Sequence, residues 1–162
     1  MANAIYINKG TALVKGTDFD WSFQNTANGA GQVSAQIDLG VVPRGSMVEW
    51  SCELQFKATP TQYQGVELYA AGAPDGDSTQ IDGDVGSTDA SLGDIDMRWN
   101  LPLIGFVASE NAAASEVCVN SGIFDWDRRY ISFVAYNSSG ASINATAGNF
   151  VFVCRLVYPE VQ

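Results

Sequence analysis

The sequence predicts an all-β protein that forms a single antiparallel β-sandwich of the jelly-roll type. Three observations lead to this fold class. Residues 48–57 alternate between apolar and polar side chains, turn-forming residues recur between short apolar runs, and no segment has the caps and 3.6-residue period of a normal helix. The 162 residues fit one domain, 1–162, because a chain of this length buries about 70% of its unfolded surface.

Short apolar runs predict the weaker strands of the sandwich. They lie at residues 4–8, 12–15, 19–24, 33–39, 66–71 and 117–120. Gly-, Pro- and Asn-rich turns separate them, at residues 8–10, 28–31, 43–46 and 72–76. Eight to ten strands at these spacings predict a sandwich, and the jelly roll is our first choice among sandwiches.

Residues 48–57 carry the clearest strand pattern. Every second residue from Val48 to Phe56 is apolar, and the residues between them are polar. A period of two gives one buried and one wet face, whereas a helix would scatter the apolar residues around its circumference. We expect four of these side chains to point into the core: Trp50, Cys52, Leu54 and Phe56.

The irregular stretch 74–96 holds seven Asp and four Gly but no Lys or Arg. A loop of this length in a compact domain is usually functional or disordered. Its carboxylates suggest a calcium site, because Ca²⁺ prefers several oxygen ligands. The candidate ligands are Asp75, Asp77, Asp82 and Asp84. The loop does not follow the EF-hand pattern, and a solvated acidic loop without metal is the alternative.

Two strands at residues 129–137 and 149–158 close the chain around a turn at 138–140. With strand 48–57 they are expected to be the longest. Both are apolar on both faces, which is typical of strands in the middle of a sheet or inside an assembly. We therefore expect the pair to bury one of these faces against a partner.

Charge and cysteine usage narrow the classes of function. The net charge is −10, and Arg128 and Arg129 are the only two cationic residues that are adjacent in the sequence. Neither nucleic acid nor an anionic membrane is therefore an expected partner. No signal peptide is expected, because the first residues lack a basic region followed by an apolar one. Cys52, Cys118 and Cys154 are widely spaced in apolar runs and are expected to be free, buried thiols in a reducing compartment.

The residue types argue against catalysis. The chain has no histidine, which removes His-based nucleophilic dyads and His-ligated zinc. No Gly-rich phosphate loop opens a helix, so no cofactor is expected. Two carboxylate pairs, Glu49 with Glu53 and Asp125 with Asp127, have the residue type that a glycosidase needs. Glu49 and Glu53 lie on the wet face of a strand, where acidic residues are ordinarily found.

Asp125, Trp126 and Asp127 form a candidate glycan-binding triplet, since an aromatic ring between two acids can contact a sugar. The alternative is that Trp126 packs into the sheet while its neighbours face solvent or pair with Arg128 and Arg129.

The C-terminal residues carry a resemblance to a known group of proteins. The motifs are WDRRYISFV at 126–134, YNSSG at 136–140 and PEV at 159–161. Residues 126–162 resemble the C-terminus of small β-sandwich virion proteins of tailed bacteriophages, including capsid decoration (cement) proteins. The resemblance covers about 35 residues and carries no catalytic residues.

The resemblance implies a non-enzymatic virion protein on the outer surface of the icosahedral head, made in the host cytoplasm. Its expected partner is the major capsid protein, and a homotrimer is favoured by analogy. The competing hypothesis is a tail-associated or receptor-binding carbohydrate-binding module that uses Trp21, Trp99 or Trp126 as a stacking platform. A third hypothesis is an acid-dependent glycoside hydrolase that uses Asp125.

Overall fold

A computed structural model describes residues 5–73, 81–113, 115–146 and 148–161. Two antiparallel sheets pack face to face and form a β-sandwich. The strands are β1 (Ile5–Lys9), β2 (Leu13–Val14), β3 (Gly31–Val33), β4 (Ile37–Asp38), β5 (Met47–Gln55), β6 (Gly65–Ala73), β7 (Ala90–Ser91), β8 (Leu103–Ala108), β9 (Val117–Asp125), β10 (Tyr130–Asn137) and β11 (Phe150–Val161). Two short 3₁₀ helices, Asp82–Asp84 and Ile95–Asn100, lie between β6 and β8.

The strand order follows a jelly roll. Sheet A has the order β1-β11-β5-β9, with β2 also paired to β11. Sheet B has the order β7-β3-β10-β6-β8, with β4 also paired to β10. The pairing is nested, because β1 pairs with β11, β3 with β10, β5 with β9 and β6 with β8. This is the pattern of one long antiparallel ribbon folded over on itself, and it confirms the predicted fold class.

Aromatic rings fill the space between the sheets. Phe133 of β10 and Phe152 of β11 meet across the interface with ring centroids 4.6 Å apart. Trp21 packs edge-on against Phe152 at 5.0 Å. Edge-to-face contacts of this kind add stability beyond the area that they bury.

The predicted core residues of segment 48–57 are confirmed. Trp50, Cys52, Leu54 and Phe56 are all buried. The indole of Trp50 fits because glycines face it on both sides, one in β8 and one in β9. A β-carbon at Gly105 would come within 2.2 Å of the Trp50 ring, and one at Gly122 within 2.9 Å.

Several predicted strands differ from the observed ones. The segment 19–24 has buried aromatic side chains but does not form a strand. Its backbone hydrogen bonds are made to turns and loops instead of to a neighbouring strand. Strand β8 was not predicted, since Pro102 and Gly105 interrupt its apolar pattern. Strands β6 and β9 each have nine residues, as many as β5 and more than β10, so the expected set of longest strands was incomplete.

The two closing strands lie in different sheets. Strand β10 is central in sheet B and β11 is central in sheet A, so the turn at 138–140 begins a crossover between sheets. Buried side chains hold this crossover. Asn137 Nδ2 donates to the Ala141 carbonyl at 2.8 Å, and Ser139 Oγ donates to Asn137 Oδ1 at 2.6 Å. The prediction of central strands is therefore correct, but the two strands lie in the middle of different sheets and not of one.

Candidate functional site

The outer face of sheet B is covered by the chain itself. The segment 81–101 crosses this face and builds a second hydrophobic cluster on it. The cluster joins Ile81, Val85, Leu92 and Leu101 of the segment to Val33, Tyr69, Ala71, Ala73 and Val134 of the sheet. Among the outward residues of β10, Val134 is thus buried and Tyr130 and Tyr136 are partly buried against the same chain.

Arg98 fastens this covering segment to the sheet. Its guanidinium lies 3.8 Å from the ring centroid of Tyr136, and its Nε lies 3.4 Å from Glu67 Oε2. Tyr69 donates to the same Glu67 carboxylate at 2.5 Å. Burial and this hydrogen bond to Glu67 raise the pKa of Tyr69 to about 12. A buried arginine with a carboxylate and an aromatic ring as partners is a stable attachment point.

The outer face of sheet A, in contrast, exposes large apolar side chains. We call four of them the docking face: Val117, Val119, Ile123 and Val151, with exposed fractions of 50%, 62%, 53% and 38%. Three lie on β9 and one on β11, and they point to the same side of the sheet. Glu53 of β5 lies between Val119 and Val151 on this face, so the exposed apolar side chains flank a charged residue. Exposed apolar surface bordered by polar residues marks interaction sites.

A shallow groove of about 550 Å³ runs across this side of sheet A. Its floor is formed by Ser51 and Ser121, which lie opposite each other on β5 and β9. Larger side chains, including Ile123, Val153 and Arg155, form its sides. Two small residues in register between larger neighbours therefore create the depression.

Beside the groove, one carboxylate pairs with two cations. Glu49 on β5 accepts a hydrogen bond from Arg155 Nε at 2.5 Å and from Lys9 Nζ at 3.1 Å. These two hydrogen bonds, the one from Arg155 above all, lower the pKa of Glu49. Glu49 is thus paired with two cations, whereas Glu53 forms no ion pair with a described residue.

Strand β9 is the edge of sheet A in the strand order. It carries neither Lys nor Pro, which are common means of protecting an edge. Asn120 closes part of the edge, because its Nδ2 donates to the Phe106 carbonyl of β8 at 2.7 Å and its Oδ1 accepts from the Ser121 N–H at 2.8 Å. The docking face consequently ends at a strand that is held to the opposite sheet.

The predicted triplet 125–127 is brought together, but not as a stacking platform. Asp125, Trp126 and Asp127 line a cleft of about 300 Å³ with Gly45 and Ser46. The Trp126 side chain is only 8% exposed. It packs edge-on against Phe124, with centroids 5.8 Å apart, and the far end of its ring lies over Gly72, which has no side chain to exclude it. The ring face is therefore not available to a sugar in this conformation.

The four calcium candidates do not form one described cluster. Asp75 and Asp77 lie outside the described residues. Asp82 is paired with Arg128, with 2.5 Å between Nη1 and Oδ2, and accepts a hydrogen bond from the Gly72 N–H. Asp84 takes a positive φ of 55° in the turn. In the described ranges no group of three or more His, Cys, Asp or Glu has the geometry to hold a metal ion.

The other predicted side chains have these positions. Glu49 and Glu53 lie on the outer face of sheet A, as their alternation indicated. The three cysteines are free and buried, which confirms that part of the prediction. Burial raises the pKa of Cys118 to about 11 and that of Cys154 to about 12.

Trp99 differs from the other tryptophans. Trp21 and Trp50 lie in the core, whereas Trp99 is 68% exposed. The Arg98 guanidinium lies 4.5 Å from its ring centroid, and Trp99 Nε1 donates to Asp96 Oδ1 at 3.3 Å. Of the three tryptophans named as stacking candidates, Trp99 alone presents its ring to solvent.

The sequence pattern did not lead to a prediction of the docking face. Residues 117–120 were predicted as a short strand, and Asn120 and Ser121 obscured its continuation. The signal that could have revealed it is the even spacing of Val117, Val119 and Ile123 along the strand. Residues separated by an even number of positions point to the same side of a strand.

No family model matches the sequence, and no curated protein is similar to it. In the part of the chain that the structure describes, no helix is long and apolar enough to cross a membrane.

Proposed function

We propose that this protein is a non-enzymatic structural component of a tailed-bacteriophage virion, and specifically a capsid decoration protein. The observation that carries the proposal is the asymmetry of the sandwich. The chain covers the apolar outer face of sheet B with its own segment 81–101, whereas the docking face of sheet A is exposed. An exposed apolar face on an otherwise closed sandwich is typical of a protein that works by binding another surface.

The partner in this proposal is the major capsid protein on the outside of the head. The resemblance of residues 126–162 to phage virion proteins supports a particle as the partner. The net charge of −10 favours an outer position over an inner one facing DNA. Free, buried cysteines agree with synthesis in the reducing cytoplasm of a host.

A homotrimer that clamps neighbouring capsid subunits would fit the local three-fold positions of a shell. A stable contact requires about 1,200–2,000 Å² of total buried surface, more than the four docking residues supply alone. Repetition over a shell strengthens weak contacts, because each bound neighbour raises the local concentration of the next. Light scattering at micromolar concentration tests the trimer, and a persistent monomer that also binds heads as a monomer would contradict it.

Binding to heads that lack the protein tests the docking face. Val119→Glu and Ile123→Glu each place a charge in the apolar patch, and each should weaken co-sedimentation with heads at least about tenfold, because a charge buried without a partner is costly. Val41→Glu is the matched control, since Val41 is exposed on the loop between β4 and β5. Equal binding of all three variants would refute the docking face.

A tail-associated or receptor-binding carbohydrate-binding module is the second candidate function. The exposed ring of Trp99 is the observation that favours it. Fluorescent labelling of the protein in intact virions separates the two positions, because label confined to the tail would exclude the capsid.

A further inference from the structure

Trp99 is exposed, and its ring has contacts with two neighbouring side chains. The Arg98 guanidinium lies against one side of the ring, and the Nε1–Asp96 hydrogen bond sets its orientation. Arg98 is itself buried and attached to Tyr136 and Glu67. The other side of the ring is thus presented to solvent in one orientation. A ring that is already ordered loses little conformational entropy when a ligand stacks on it.

An open groove of about 520 Å³ lies near the same side of the molecule. Its polar lining consists of hydroxyl and amide side chains, from Ser22, Gln24, Asn25, Thr26, Gln32 and Ser91. Leu92 and Ile95 add an apolar part. The volume lies within the range of small-molecule sites, about 300–1,000 Å³. The lining is mainly polar, which suits a polar ligand.

Some polar groups of this groove are engaged and others are open. Ser22 Oγ and Gln32 Nε2 both donate to Asp89, which fixes the wall of the groove. The side chains of Gln24 and Ser91, in contrast, make no hydrogen bond to any described residue. Both therefore keep their donors and acceptors for a ligand.

The helix that carries Trp99 also contributes to the lining of the groove. Ile95 lines the groove and begins the 3₁₀ helix that carries Trp99 four residues later. At a rise of about 2 Å per residue, the two Cα atoms are about 8 Å apart. Tyr136, on which Arg98 lies, pairs with Gly31, which also lines the groove. A ligand longer than one ring unit can therefore reach both.

Charge defines the class of ligand. No cationic residue lines the groove, and the chain carries a net charge of −10, so an anionic ligand would be repelled. Amide and hydroxyl groups suit a ligand rich in hydroxyls, and an exposed aromatic face suits the C–H face of a sugar ring. We propose that Trp99 and this groove bind an uncharged oligosaccharide. The site lies on the side away from the docking face, so the protein could bind both partners together.

Screening with uncharged glycans tests this site. The probes are immobilised oligomers of glucose, galactose, mannose, rhamnose and N-acetylglucosamine, offered to the full-length protein. We expect at least one to bind, and Trp99→Ala to weaken that binding about tenfold, as expected for loss of an aromatic stacking partner. Gln24→Ala should also weaken it. Leu103→Ala is the control, because Leu103 is exposed but does not line the groove.

Acrylamide quenching gives a second readout that needs no variant. The other three tryptophans are buried, so quenching reports mainly on Trp99, and a bound glycan should reduce it. Failure of every probe to bind would overturn the proposal, as would binding that changes neither with Trp99→Ala nor in the quenching. Phage heads play no part in this experiment, so its failure leaves the docking proposal intact.

Discussion

Val119 on β9 and Val151 on β11 lie in the same cross-strand row of sheet A, on either side of Glu53. Neighbouring strands are about 4.8 Å apart, so the two valines are about 10 Å apart and a flat partner surface can contact both. On sheet B the corresponding outward side chains are buried under segment 81–101. The two outer faces of one sandwich therefore differ in how far their apolar side chains are exposed.

Gly105 should tolerate no side chain. In Gly105→Ala the new β-carbon would meet the Trp50 ring at 2.2 Å, and overpacking of this kind costs about 1–3 kcal/mol of unfolding free energy. Chemical denaturation measures the loss. Gly93→Ala is the control, because a β-carbon there meets nothing within 4 Å. Equal stability of both variants would show that the Trp50 ring is not confined as described.

Arg98→Ala should loosen the segment that covers sheet B. The substitution removes the contacts to Tyr136 and Glu67, and we expect a loss of about 2 kcal/mol. Hydrogen exchange should accelerate in residues 81–101 and remain slow in β5 and β11. The exposed Arg44→Ala should leave exchange unchanged. Unaltered protection of residues 81–101 in Arg98→Ala would contradict the role of Arg98.

Asp38 should contribute to the acid sensitivity of folding. Hydrogen bonds from Arg129 and from the Gly40 N–H lower its pKa to about 2 from an ordinary 3.8. A carboxyl with a lowered folded-state pKa stabilises the fold above its unfolded pKa, and this stability is lost as the pH falls through the folded pKa. The effect should be below about 1 kcal/mol, because the pair is exposed.

Denaturation curves at pH 7, pH 4 and pH 2 measure this contribution. Asp38→Asn should unfold more readily than the wild type at pH 7, and the difference should shrink towards pH 2. A difference that is independent of pH would mean that the ion pair does not stabilise the fold.

The cysteines should be inert in the folded protein. Burial raises the pKa of each thiol, so little thiolate is present at pH 8, and reagents cannot reach the sulfur atoms. A thiol reagent should label fewer than one cysteine per native chain and all three in denaturant. Rapid labelling of native Cys118, which lies in the edge strand β9, would show that this edge opens.

The fold class followed from sequence because local periodicity and turn chemistry determine a sandwich. The alternation of residues 48–57 identified β5 and its buried side chains correctly. The sequence did not show that β10 and β11 belong to different sheets, since two consecutive apolar strands around a turn are compatible with one sheet or with two. Only the three-dimensional pairing separates these two strands.

The candidate site was harder to predict from the sequence than the fold. Trp126 was named as a platform because of its acidic neighbours, but the absence of a side chain at Gly72 lets its ring pack inward. The two residues in that contact, Gly72 and Trp126, are 54 residues apart in the chain. The Trp99 ring likewise packs on Arg98, which in turn packs on Tyr136 of β10, a contact that the sequence does not reveal.

Cryo-electron microscopy of virions that carry the protein tests the central claim most directly. The account predicts density for this sandwich on the outer surface of the head, with the docking face of sheet A against the major capsid protein. Segment 81–101 and Trp99 should then point away from the shell. Density found only on the tail, or a head-bound sandwich whose sheet A faces solvent, would contradict it.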